Sequence, residues 1–471
     1  MDDSPLLMTV AELIAAVGGS CLCDNSEAHG CTSVVTDSRN VSAGALFIPL
    51  LGELRDGHDF VEQAMQTGAS VIFVDEVHVA RSDTAFKSLA GRYGSCVIAV
   101  KDTLHALQSV AAAYVNRFPQ LLRIGITGSS GKTTTKELIG SIFSQKNRVV
   151  LNEGNLNSET GLPLSVFRIR KEHQVGVFEL GMNRKGEISE LTQVLKPSLA
   201  VITNIGTAHI GILGSQKAIA EEKKEIFSCF DSDGTGFIPE DESWGDFLSD
   251  VSTGTIRRFG LSTTEGVSGS EDLGIEGSVI HYEGLRIHLP LPGVYNLENA
   301  LAAISVARFA GISARDIQAG IESVQPLFGR AQILHGNGTV VLDCYNANPD
   351  SMERAIEFWI DQSWTGKKIF VLGSMLELGT DSASAHQHIC SIVAKSDVET
   401  VFLFGEEMTT AGRSTEWERQ NVQFFTDIEQ LKESLKNEAS EESLVFIKGS
   451  RGMALERLCP ALGIPEEVIH G

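Results

Sequence analysis

TGSSGKTTTKE, residues 127–137, follows the apolar run LLRIGI at 121–126 and precedes Leu138, Ile139, Ile142 and Phe143 at helical spacing. The order is strand, glycine loop, helix. In that arrangement the loop amides and the helix N-terminus converge on an anion. Gly128 and Gly131 let the backbone approach phosphates, with Ser129, Ser130 and Thr134 completing the loop. Lys132 supplies a positive charge, and the Thr133 hydroxyl suits Mg²⁺. The usual pattern asks for a glycine five residues before Gly131, where this chain has Ile126, so the loop takes the shorter form TGxxGKT. A glycine turn that binds nothing is the bland alternative. Strand, Lys-Thr pair and helix together weigh against it.

The rest of the chain bounds what such a loop serves. A length of 471 residues fits about three domains. With 42% hydrophobic residues the chain can bury several cores. A formal net charge of −23 argues against nucleic-acid backbones and anionic lipid as partners. Anionic substrates then need local basic pockets. No apolar run approaches the ~18 residues of a spanning helix. MDDSPLLMTV lacks a basic n-region and a signal-type core. The expected location is the cytoplasm, and the expected state a monomer. Eight scattered cysteines include no CxxC pair, which points to reduced thiols rather than a disulfide framework or a zinc site.

Three regions separate. Residues 1–103 mix short apolar strands (ALFIPL at 45–50, VIFVD at 71–75, CVIAV at 96–100) with helical stretches such as 60–67. Residues 104–325 open on a helix over 104–118 and hold the phosphate loop, then VGVFEL at 175–180 and LAVIT at 199–203. Within them, 231–292 is rich in Gly, Ser and acids and reads as a peripheral β segment. From 326 to 471, TVVLD, KIFVLG, TVFLFG, VQFF and LVFIKG alternate with helical stretches, the pattern of a parallel sheet covered on both faces. Ligands in such sheets bind beyond the carboxyl ends of the strands, where Asp343, Gly373 and Lys448 fall.

Several constellations carry chemistry. Glu179 ends a strand in FELGMN, well placed to ligate Mg²⁺ or orient its waters; a solvated strand-end acid is the alternative. TNIGTAHIGILGS holds His209 after the LAVIT strand, and AIAEEKKEIF at 218–227 holds Lys223. Alone, each is a surface residue; behind a phosphate loop they read as metal and phosphate ligands. Asn155 and Asn157 in GNLNSETGLP suit phosphate or substrate, or cap a turn. Asn296 and Asn299 lie three apart on one helical face, as base-binding amides or as caps of a helix start. DCYNANPDSM at 343–352 packs Asp343, Tyr345, Asn346 and Asn348 into a strand-to-helix loop, with Pro349 fitting the first helical turn. That is more polar chemistry than capping requires, so a binding loop is the better reading.

At this point the chain resembles the Mur ligases, ATP-dependent amide-forming enzymes of bacterial cell-wall synthesis. The match runs through TDSR at 36–39, ALFIPLLGELRDGHDF at 45–60, TGSSGKTTTKE, GNLNSETGLP, FELGMN, TNIGTAHIG, NLENALAA, FGR at 328–330 and LGSMLELG at 372–379. DCYNANPDSM looks like the branch that adds D-alanyl-D-alanine to UDP-N-acetylmuramoyl-tripeptide. The resemblance implies three α/β domains: a small UDP-sugar-binding domain, a central P-loop domain with a parallel sheet, and a Rossmann-like acceptor-binding domain.

It also implies the chemistry. ATP phosphorylates the tripeptide carboxylate, and the dipeptide amine attacks the acyl phosphate. Lys132, Glu179, His209 and Lys223 would be catalytic, with Mg²⁺ on Thr133 and Glu179 and a second Mg²⁺ near His209. Lys223, in preference to Lys224, would carry a carbamate supporting that second metal. Asn296 and Asn299 would contact adenine, Arg330 the phosphates and Asp343 the ribose, while Tyr295 stands where many relatives have histidine. Ser38, Arg39, Asp56, Gly57 and His58 would meet the UDP-sugar. Tyr345, Asn346, Asn348, Ser450 and Arg451 would meet the dipeptide. Domain closure is expected to assemble the site and shield the acyl phosphate from water. The competing readings are a ligase adding one amino acid to a UDP-dipeptide, a folate-type ligase, and a nucleotide switch without catalysis.

Overall fold

The computed structural model describes residues 6–23, 29–52 and 55–470, so the first half of MDDSPLLMTV and Glu53–Leu54 of ALFIPLLGELRDGHDF lie outside the described residues. The opening stretch forms as its sequence dictates. Strand Leu122–Thr127 runs into the loop, and helix Lys132–Ser144 starts directly after Gly131. Ile124 and Ile126 of the strand and Leu138, Ile139, Ile142 and Phe143 of the helix are buried. Gly131 sits at φ 78, and a Cβ there would lie 2.3 Å from Asn299 Oδ1. Left-handed backbone and lack of room both demand glycine.

The central sheet has six strands in the order Thr255–Phe259, Thr235–Pro239, Leu199–Ile202, Leu122–Thr127, Val175–Glu179, Val149–Leu151. Its two outermost pairings are both parallel. Here the reading of 231–292 as wholly peripheral is corrected. Strands Thr235–Pro239 and Thr255–Phe259 extend the central sheet, and only Val267–Asp272, Ser278–Tyr282 and Leu285–Leu289 form a separate antiparallel sheet. The edge strand TIRRF alternates exposed and half-buried positions before Phe259, so its sequence looks like loop.

The C-terminal sheet orders its strands Gln332–Gly336, Gly338–Asp343, Leu444–Lys448, Lys368–Gly373, Thr400–Phe404, Asn421–Phe425. All pairings are parallel except the first, an antiparallel hairpin whose first strand no apolar run announces. The inner strands are buried throughout, as a sheet covered on both faces requires. One face packs Trp359, Phe370 and Phe446; the other packs Phe402, Leu431 and Leu455. A five-stranded sheet near the N-terminus runs Ser20–Cys23, Cys96–Val100, Val71–Asp75, Ala45–Phe47, Ser33–Val35, antiparallel only at the Ser20–Cys23 edge.

Contacts gather the chain into two compact units. The first comprises Met1–Gly125, Asn147–Ala200 and Glu225–Gly234; the second comprises Ile126–Lys146, Val201–Lys224 and Thr235–Gly471. In the second, helix Lys132–Ser144 packs on helices Val294–Phe309 and Ala314–Glu322. Gly320 permits that approach, since a Cβ there would fall 2.4 Å from the Ile142 Cα. Ser141 Oγ adds a bond to the Gly320 carbonyl at 2.7 Å. Among the described residues no helix is long and apolar enough to cross a membrane.

Candidate active site

The segment after strand Leu199–Ile202 shapes the phosphate loop. The Ser129 and Ser130 amides donate to Asn204 Oδ1 at 3.1 and 3.0 Å, and Asn204 Nδ2 donates back to Ser130 Oγ at 2.7 Å. Lys132 Nζ donates to the Gly128 carbonyl at 2.8 Å, which folds its ammonium over the loop. Arg330 Nη2 donates to Thr133 Oγ1 at 2.8 Å while its guanidinium lies 4.2 Å from the centre of the Tyr345 ring. A recess opens beside this loop, lined by Thr134, Glu137, Leu291, Asn296, Val324 and Arg330. Asn296 and Asn299 are buried on helix Val294–Phe309. Asn296 Nδ2 donates to the Pro292 carbonyl at 2.7 Å, and Asn299 Oδ1 accepts from Thr135 Oγ1 at 3.2 Å.

His209 is half-buried, in the left-handed region at φ 66. Burial, then the charges of Lys132 and Lys223, push its pKa down to about 4. The imidazole is therefore neutral near pH 7, the form that binds a metal or accepts a proton. Lys223 is buried on helix Gln216–Lys224. Its neighbour Lys224 turns elsewhere, donating to the Phe247 carbonyl at 2.7 Å and lying 4.3 Å from the Phe247 ring centre.

At the carboxyl ends of the C-terminal strands, Asp343 Oδ2 pairs with Lys448 Nζ at 2.7 Å, and Asp343 Oδ1 accepts from the Ala331 amide at 3.3 Å. Asn348 caps helix Pro349–Asp361 through a reciprocal pair with Ser351. Asn346 is exposed. Ser450 Oγ accepts from the Leu376 amide at 2.9 Å, tying the 450 turn to the loop after strand Lys368–Gly373. Arg451 is exposed, paired with Glu456 at 2.6 Å and lying 5.4 Å from the Phe328 ring centre.

In the first unit, Glu179 is buried and its Oε1 accepts from Asn157 Nδ2 at 2.7 Å. Asn152 brackets the same residue's backbone, accepting from the Glu179 amide at 2.9 Å and donating to its carbonyl at 3.1 Å. Asn155 is exposed. Ser38 Oγ donates weakly to Gln63 Oε1 at 3.4 Å. Arg39 is exposed and forks onto Asp37, holding that carboxyl at about 2.

Gly57 leaves no room for a Cβ, which would lie 2.6 Å from the Leu50 amide nitrogen. His58 is buried, with Nδ1 at 2.8 Å from Asp56 and Nε2 accepting from the Asp75 amide at 3.3 Å. His78 stacks on it, ring centres 3.8 Å apart, and reaches Asp56 at 2.9 Å and Asp75 at 2.8 Å. Two carboxylates thus clamp two stacked rings. Asn152, Asn204, Asp75 and His78 are absent from the sequence-based expectations. The position of Asn204, directly after a strand in TNIGTAHIG, was the one available signal.

Three family models match in order: Mur ligase family, catalytic domain over 31–115; Mur ligase middle domain over 126–307; and Mur ligase, glutamate ligase domain over 329–451. The chain belongs to the Mur ligase family. It is 46% identical to the UDP-N-acetylmuramoyl-tripeptide–D-alanyl-D-alanine ligase of Treponema pallidum, over 97% of this chain and 99% of that one. The Bacillus subtilis ligase of the same name is 33% identical over 95% of this chain and 96% of its own length. Among solved structures, MurF from Acinetobacter baumannii superposes with a TM-score of 0.84 at 28% identity, covering 98% of this chain and 99% of that one. MurF from Thermotoga maritima in complex with ADP gives 0.77 at 26% identity, covering 93% and 97%. The expected three-domain α/β architecture is borne out.

Proposed function

We propose that this chain is an ATP-dependent ligase that joins D-alanyl-D-alanine to UDP-N-acetylmuramoyl-tripeptide in peptidoglycan precursor synthesis. The observation that carries the reading is Arg330, one side chain that bonds the phosphate-loop Thr133 and covers Tyr345 of the DCYNANP loop. Nucleotide and acceptor elements are joined there. A carboxylate oxygen of the tripeptide attacks the γ-phosphorus of ATP, and ADP leaves. The dipeptide amine then attacks the acyl carbon, loses a proton, and the phosphate departs with the former carboxylate oxygen. Such transfer needs positioning and charge neutralisation more than a protein nucleophile, and Lys132 and Arg330 supply cations.

Thr133 and the buried carboxylate of Glu179 each offer the hard oxygen donor that Mg²⁺ prefers. A neutral His209 suits a second ion. Bound Mg²⁺ would neutralise charge on the phosphate oxygens. The buried amine of Lys223 supports its choice as the carbamylated residue, since Lys224 is committed to Phe247. Asn296 and Asn299 belong to the adenine side and Asp343 to the ribose. Ser38, Arg39 and the Asp56–His58 turn belong to the UDP-sugar, with Asn155 and Asn157 near phosphate or substrate. Tyr345, Asn346, Asn348, Ser450 and Arg451 belong to the dipeptide. The working division is 1–103, 104–325 and 326–471, in a cytoplasmic monomer.

Phosphate release with ATP, Mg²⁺ and UDP-N-acetylmuramoyl-tripeptide tests the acceptor. Release that requires D-alanyl-D-alanine supports the reading. Release with a single amino acid on a UDP-dipeptide overturns it in favour of the single-residue ligase.

A further inference from the structure

Loop 203–209 carries His209, and the residues ahead of it are tied from two sides. Toward the phosphate loop, Asn204 takes the Ser129 and Ser130 amides, and the Gly206 amide donates to Ser129 Oγ at 2.8 Å. On the other side, the Thr207 amide and hydroxyl both donate to one oxygen of Asp350, at 2.6 and 2.7 Å. Gly206 lies between them without space for a side chain. A Cβ there would fall 2.5 Å from that Asp350 oxygen and 3.2 Å from Ser129 Cβ. Asp350 is the second residue of helix Pro349–Asp361, so it comes directly after the loop bearing Tyr345, Asn346 and Asn348.

His209 stands two residues beyond Thr207, in left-handed backbone that a histidine adopts only where its surroundings over-determine it. Beyond it, Gly211 abuts Leu378, where a Cβ would lie 2.9 Å from the backbone carbon. His209 is thus fixed before and after by the segment C-terminal to the acceptor loop. An acid in a first helical turn commonly serves the helix dipole, but that role makes no use of Thr207. Two bonds converging on one carboxylate oxygen do.

We propose that Asp350 is the positioning residue for His209: through Thr207 it holds loop 203–209 against the acceptor-side helix, setting His209 while the same loop grips the phosphate loop. The proposal rests on the reading of His209 as part of the reacting site. The test is steady-state kinetics of the ligase with Asp350→Ala, Asp350→Asn, Thr207→Val, the Asp350→Ala/Thr207→Val double variant, and His209→Ala as reference.

Misplacing a reacting group costs roughly 10- to 100-fold. Asp350→Ala should lower kcat by about that factor, with the KM for ATP within about twofold of the parent. Asp350→Asn, which keeps an acceptor oxygen, should recover part of the loss. The double variant should be no worse than Asp350→Ala, because both substitutions break one linkage. Parent-like kcat in Asp350→Ala, or losses that multiply in the double variant, would overturn the proposal while a dead His209→Ala upholds the site. An active His209→Ala would instead bring down the reading beneath it. Should Asp350→Ala fail to fold, the Asn and Thr207 variants decide alone: both at parent kcat refutes the linkage, and a kcat loss at unchanged ATP KM upholds it.

Discussion

Lys132 and Asn204 show how differently two residues of one site present themselves. Lys132 is set by local spacing, glycine before and threonine after, so its role was legible from the chain. Lys132→Ala should cost at least about 100-fold in phosphate release, because a preorganised cation is lost from the site. Unchanged melting with lost turnover would be the expected pair of readings. Asn204 was not legible, since an asparagine after a strand gains meaning only when a distant loop brings amides to it. The Asp56–His58–Asp75–His78 clamp was half legible. DGHDF drew attention to His58, but its partners His78 and Asp75 come from another strand and helix.

That clamp carries a pH signature. Burial raises the Asp56 and Asp75 carboxyls, yet hydrogen bonds from His58 and His78, together with the nearby rings, lower them more, so both sit below the ordinary range. A depressed carboxyl contributes stability that is present above its unfolded value, about 4, and lost as pH falls through the folded one. His78→Gln should therefore melt lower than the parent near pH 6, with the gap closing on acidification below about pH 4. Melting curves across that window would show it. A gap that stays constant down the acid limb would refute the linkage.

At the scale of elements, strand–loop–helix at 122–144 and the five parallel strands of the C-terminal sheet were legible because each is a local apolar run bounded by turn residues. The outer strands Thr235–Pro239 and Thr255–Phe259 were not. Their pairing is made across the intervening helix Gly245–Ser249, and the half-exposed edge strand lacks an apolar run. Helix packing behind the phosphate loop depends on one absent side chain. Gly320→Ala would force the helix bearing Lys132 away from Ala314–Glu322, at a cost of about 1–3 kcal/mol. A lowered melting temperature with weaker ADP binding is the expected result, read by calorimetry. Parent-like melting would show that the contact relaxes without cost.

At the scale of the whole molecule, family membership spans essentially the full chain, and the acceptor is named by relatives as similar as 46%. In the proposed reaction a carboxylate of the UDP-linked tripeptide becomes an acyl phosphate before the dipeptide attacks. The most direct measurement supplies UDP-N-acetylmuramoyl-tripeptide labelled with ¹⁸O in its terminal carboxylate, ATP, Mg²⁺ and D-alanyl-D-alanine, and weighs both products. One dipeptide added per ADP formed and one ¹⁸O carried into the released phosphate are the expected outcome. Phosphate without label, or a product extended by a single amino acid, would contradict it.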